Sequence, residues 1–166
     1  MQQADTSEDK VVLFFDVCAK IEGLCATLYH YYSDIHKDHA DVSRLWKKTA
    51  MEEENHQKQF ELAYRLREDI EFDLNADIDR CYRIHQILSN LLAHVRQNPP
   101  DIVTALTKAI EMEERIADLH LESSVRFHDE AISNMFQALQ AFDQDHVKSL
   151  QYCLAIMSLP NAEMAG

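Results

Sequence analysis

Apolar residues recur three and four positions apart along nearly all of the 166-residue chain, the period of amphipathic helices and not of strands. The spacing predicts five helices. The first runs from about Glu8 to His36, with Thr6 or Ser7 as its N-cap. A polar turn, Lys37 to Ala40, leads to a second helix from about Asp41 to Arg67. A third, from about Ala76 to Val95, carries Ile78, Cys81, Ile84, Leu88, Leu91, Leu92 and Val95 along one side. Gln97-Asn98-Pro99-Pro100 then breaks the chain. A fourth helix follows from about Asp101 to Arg126 and a fifth from about Asp129 to Met157, with a frayed tail from Leu159 to Gly166. The short turns make residues 8–67 and 101–157 two antiparallel hairpins. The 76–95 helix between them suits a long crossover that returns the chain to the other end of the bundle. The expected fold is therefore all-α, one four-helix domain spanning residues 1–166.

Composition narrows the chemistry. With two glycines, Gly23 and Gly166, and three prolines, the chain cannot supply the many turns of an all-β fold. It has no Gly-rich phosphate cradle, dinucleotide fingerprint or G-x-S-x-G elbow. A net charge of −13 argues against a nucleic-acid surface, which must neutralise phosphates with Lys and Arg. The polar start, Met1 to Lys10, resembles no export leader, and no apolar run reaches membrane-spanning length. A cytoplasmic protein is expected, without nucleic-acid or membrane partners. The cysteines Cys18, Cys25, Cys81 and Cys153 would then be reduced thiols.

The two hairpins resemble each other. A shift of 92 residues lays Glu22 over Glu114, and a shift of 90 lays Glu53 over Asp143 and His56 over His146. Each half thus offers one acid on its first helix and an acid-x-x-His on its second. At about 1.5 Å rise per residue the four acids stand about 20 Å from their turns, in one layer. The i, i+3 spacing puts each histidine on the face of its acid. All four acids interrupt apolar stripes: Glu22 among Phe15, Cys18, Cys25 and Tyr29; Glu53 among Trp46, Ala50 and Phe60; Glu114 among Val103, Ile110, Ala117, Leu121 and Val125; Asp143 among Phe136, Leu139 and Leu150.

Buried carboxylates are costly alone and repel one another together, and bound cations resolve both problems. Acid-x-x-His by itself is a weak signal in a chain with 29 acids and nine histidines. Register, equal height and apolar flanks carry the reading. His30, His36, His39, His85, His94, His120 and His128 read as surface or turn residues, and Glu52 and Glu54 as solvated. Trp46, Phe60 and Phe136 read as core, and so do Cys18 and Cys25, with thiol redox beside the metal as the alternative for the two cysteines. The apolar face of the 76–95 helix would cover the bundle or meet a second subunit.

Ala109-Ile110-Glu111-Met112-Glu113-Glu114 and Glu53-Glu54-Asn55-His56 resemble the rubrerythrin branch of the ferritin-like superfamily, over about residues 8–157. The resemblance implies a ferritin-like bundle holding two iron ions, or manganese, on Glu22, Glu53, His56, Glu114, Asp143 and His146. Glu53 and Asp143 would be the bridging candidates and Tyr29 a partner behind the ligands. It further implies redox chemistry with oxygen or peroxide in a homo-oligomer, a dimer. There are departures. No Cys-x-x-Cys module is present, so an external electron-donor protein is implied. Ala117 stands where rubrerythrins carry a further Glu, with Glu111 and Asp118 nearby, and Asp143 replaces Glu. The alternatives are iron binding or storage without turnover and a metal-free structural bundle.

Overall fold

In the computed structural model, which describes residues 5–65 and 78–160, the chain is all-helical. Its helices are α1 (Asp5–Ile35), α2 (Ala40–Arg65), α3 (Ile78–Gln97), α4 (Ile102–Ser124) and α5 (Glu130–Met157). Among the described residues there is no strand, and no helix is long and apolar enough to cross a membrane. The expected boundaries hold to within a few residues. α1 already begins at Asp5, so Thr6 and Ser7 lie inside it and do not cap it. The expected ends at Arg67 and Ala76, and the tail beyond Pro160, fall outside the described residues.

Local chemistry explains where the later helices start. Asp101 accepts a hydrogen bond from the Thr104 backbone N–H at 2.7 Å, and Asp129 accepts one from that of Ile132 at 2.9 Å. Each satisfies an N–H left without a partner in a helix's first turn. Pro99 and Pro100, which cannot continue α3, separate it from the Asp101 cap.

Side-chain pairings give the topology. α1 and α2 form an antiparallel hairpin, fastened beside its turn where the Ser33 hydroxyl donates to the Ser43 carbonyl and the Ser43 hydroxyl donates to that of Ser33. α4 and α5 form another, with the Ser133 hydroxyl donating to the Ser124 carbonyl. α3 packs mainly along α1 and runs parallel to it: Cys81 lies by Cys18, and Tyr31 donates to the Val95 carbonyl at 2.9 Å. The crossover therefore carries the chain back to the α1–α2 turn, as expected, and α4 starts there beside His36. Cys81, Ile84, Leu88, Leu92 and Val95 bury the inner face of α3, so this helix covers the bundle.

Two aromatic clusters bracket the middle of the bundle. On one side Trp46 lies against Tyr29 and Tyr32, with ring centroids 5.3 and 5.0 Å away. On the other, Phe136 meets Phe14, Phe15, Phe60 and Phe127 at 5.2–6.4 Å. These rings are buried, so the layer between them has dry walls.

Phe136→Ala should cost about 3–5 kcal/mol of stability, because neighbouring helices cannot collapse into the void left by a buried ring. Leu121→Ala, on the exposed side of α4, should change stability by under about 0.5 kcal/mol. Chemical denaturation followed by circular dichroism reads both, and equal costs would contradict this placement of the core.

Candidate metal centre

Between the aromatic clusters, four carboxylates and three imidazoles are withdrawn from solvent. Glu22 and Asp143 are 0% exposed, Glu53, Glu113 and His120 1%, His56 2% and His146 5%. α1 supplies Glu22, α2 Glu53 and His56, α4 Glu113 and His120, and α5 Asp143 and His146. The i, i+3 pairs on α2 and α5 face inward, as the spacing predicts.

One predicted position needs correction. Glu114 is exposed, and Glu113 takes its place in the layer. α4 offers two stripes about 100° apart. The stripe around Glu114 includes Val103, Leu121 and Val125, which are 40%, 50% and 80% exposed. The stripe around Glu113 includes Ile102, Leu106, Ala109 and Ile116, all buried. The repeat shift for the first helices is accordingly 91 residues, one from the 90 of the second helices, and it pairs Tyr29 with His120.

His120 is the buried residue of this layer that reading by type missed, since histidines outside an acid-x-x-His are usually on the surface. It hydrogen-bonds Asp143, Nδ1 to Oδ2 at 2.6 Å, and its Nε2 lies 3.2 Å from Glu22 Oε1. The 91-residue shift was the signal that could have found it. His36 is also buried, at the turn, away from the layer. His30, expected on the surface, is half-buried and pairs with Glu54 at 2.8 Å. Glu52 is likewise not simply solvated: its carboxylate accepts from His146 Nε2 at 3.0 Å.

The donor atoms gather into two groups that share Glu53. Glu22, Glu53 and His56 offer one ligand atom each within 4.8 Å of one another, and so do Glu53, Glu113 and His146. His56 Nδ1 lies 3.0 Å from Glu53 Oε2 and 3.8 Å from Glu22 Oε2. His146 Nδ1 lies 2.8 Å from Glu53 Oε1 and 3.5 Å from Glu113 Oε2. The Tyr29 hydroxyl donates to Glu113. Asp143 and His120 stand outside both groups, bonded to each other.

Several of these atoms have no hydrogen-bond partner although buried: both oxygens of Glu22, Glu53 Oε1, Asp143 Oδ1 and His146 Nδ1. Buried polar atoms without a hydrogen bond are costly and rare. Here they crowd into one layer of mixed oxygen and nitrogen donors, which suits a pair of divalent cations. Glu53 is common to both groups.

Without cations, protons take their place. Burial works to lower the histidines, but neighbouring carboxylates outweigh it. His56 is raised to about 10 by Glu22 and Glu53, His120 to about 10 by Asp143 and Glu22, and His146 to about 12 by Glu113 and Glu53. Burial and the adjacent Glu113 charge push Glu53 up to about 8, and burial raises Glu113. Glu22 goes the other way: burial would raise it, yet the His120 and His56 imidazoles hold it well below the usual carboxylate range.

No protein-family model, curated protein or solved structure matches the chain. The site stands on its own geometry.

The metal-free protein should lose stability as pH rises. Groups raised in the folded state bind protons more tightly than in the unfolded chain. The histidine contribution is therefore complete below about pH 6.5 and is lost through about 10 to 12, while that of Glu53 fades between 4.5 and about 8. Depressed Glu22 acts oppositely, and only below its ordinary 4.5. Melting temperatures of chelator-treated protein should fall from pH 6.5 to 10, and a flat or rising profile would contradict the pairing described.

Proposed function

We propose that this protein is a rubrerythrin-like member of the ferritin-like superfamily. On this reading it holds two iron ions, with manganese as the alternative, and carries out redox chemistry with oxygen or peroxide. The observation that carries this reading is the pair of donor groups sharing Glu53 in a dry layer. Mixed carboxylate and imidazole donors suit iron or manganese better than soft, thiolate-loving metals. Two antiparallel hairpins joined by a helical crossover give the layout in which such sites are built. Two ferrous ions bound there would supply two electrons at once, the number that reduces peroxide to water.

The chain's own residues perform the binding and the tuning. Glu22 and Glu113 would each serve one ion, and Glu53, common to both donor groups, would serve both. Glu52 fixes the His146 ring through Nε2 and leaves Nδ1 facing the donor group. Such outer partners set ring orientation and strengthen a ligand. Tyr29 orients Glu113 by donating its hydroxyl proton. Phe142 packs on the His56 ring with centroids 5.5 Å apart, and closes that side partly, since it is itself half-exposed. On this reading reducing equivalents come from an electron-donor protein.

A second reading has an observation of its own. Three protonated histidines facing the carboxylates neutralise much of the layer's charge, so a metal-free structural bundle is physically possible.

Elemental analysis of protein purified without chelator separates the two, with about two metal ions per chain expected and none if the bundle is only structural. Glu53→Gln should abolish binding of both ions, whereas Glu114→Gln should leave the count unchanged. Anaerobic loading with ferrous iron followed by peroxide, monitored by absorbance, should show oxidation faster than that of free iron. An equal rate would sink the redox assignment.

A further inference from the structure

The environment of His120 goes beyond the six residues expected to hold metal. Its ring is 1% exposed on α4, and Nδ1 is hydrogen-bonded to Asp143 at 2.6 Å. The other nitrogen, Nε2, lies 3.2 Å from Glu22 Oε1, yet neither oxygen of Glu22 has a hydrogen-bond partner. The two atoms stand at ion-pair distance, without the alignment of a hydrogen bond. Two ligands of one first-row cation, each about 2.1 Å from it, stand about 3.0–3.4 Å apart. Glu22 Oε1 and His120 Nε2 are spaced in that way.

His146 is built on the same plan. One ring nitrogen is bonded to a carboxylate, Glu52, and the other faces Glu53 at 2.8 Å with no hydrogen bond. A carboxylate behind one nitrogen fixes the tautomer and leaves the other nitrogen's lone pair free for a metal.

The internal repeat adds a third observation. His120 stands where the first half has Tyr29, and Asp143 stands where it has Glu53. Tyr29 donates to the opposite half's Glu113, whereas His120 reaches the opposite half's Glu22. Asp143 is one methylene shorter than Glu53, and His120 fills the space between it and Glu22. The two substitutions occur together, on facing helices.

From this geometry we infer that His120 is itself a metal ligand, through Nε2, and that Asp143 serves by orienting it. The inference rests on the di-metal reading above. It makes the centre unsymmetrical, with three imidazoles and with the His120 side differing from the Tyr29 side.

The test uses cobalt(II) as the probe, titrated into metal-free full-length protein and followed by its visible d–d bands. X-ray absorption supplies an imidazole count, and circular dichroism reports the fold. Wild type should take up two ions per chain with three imidazoles. His120→Ala should weaken one of the two ions about 10–100-fold, change its bands and lower the imidazole count to two. Millimolar free imidazole should restore affinity and spectrum by occupying the vacated position, a rescue that loss of a merely structural side chain would not show. Asp143→Asn should weaken the same ion while keeping three imidazoles. If His120→Ala does not fold, His120→Gln, which retains bulk and polarity, carries the same readouts. Two ions bound by the folded variant with wild-type affinity and bands would overturn the role of His120 alone. Wild-type protein that binds no cobalt would overturn the di-metal reading, and this inference with it.

Discussion

The constraint on which this structure depends is the cost of keeping four carboxylates out of water. Glu22, Glu53, Glu113 and Asp143 are essentially unexposed, and among the described residues their ion-pair partners are histidines. Charges so placed must be balanced by protons, by imidazolium or by bound cations. Every helix of the two hairpins contributes to that balance, so the layer joins them electrostatically as the phenylalanine cluster joins them by packing. The cationic side chains Lys20, Arg44, Lys48, Lys108 and Lys148 pair at the surface.

The helices and the crossover were legible because each follows from short-range physics. Helical spacing marks the elements, paired prolines and aspartate caps mark the breaks, and a run of about thirty residues between hairpins is too long for a turn. Glu22, Glu53, His56, Asp143 and His146 were equally legible, since the repeat offered each of them one register. α4 was not. Its two stripes are both apolar in composition, and only packing against neighbouring helices decides between Glu113 and Glu114. A 100° rotation separates them, and a pattern read one helix at a time has no access to it.

His120 was hidden for a related reason. A histidine's side of the helix depends on the same rotation, and placing the stripe on Glu114 puts His120 toward solvent. Glu52 and Glu54 show a further limit. Neither is buried, so hydrophobic patterning assigns them to water, yet each reaches a histidine on a neighbouring helix. Partly exposed polar partners of buried groups are set by side-chain reach across helices, which the period does not encode.

Trp46, the only tryptophan in the chain, lies fully buried against Tyr29, whose hydroxyl is bonded to Glu113. That position gives the molecule a built-in optical reporter. Emission from the indole comes from one place, a single ring contact away from the carboxylate layer. Its intensity and colour therefore respond to whatever occupies that layer, with no label attached and no other indole to subtract.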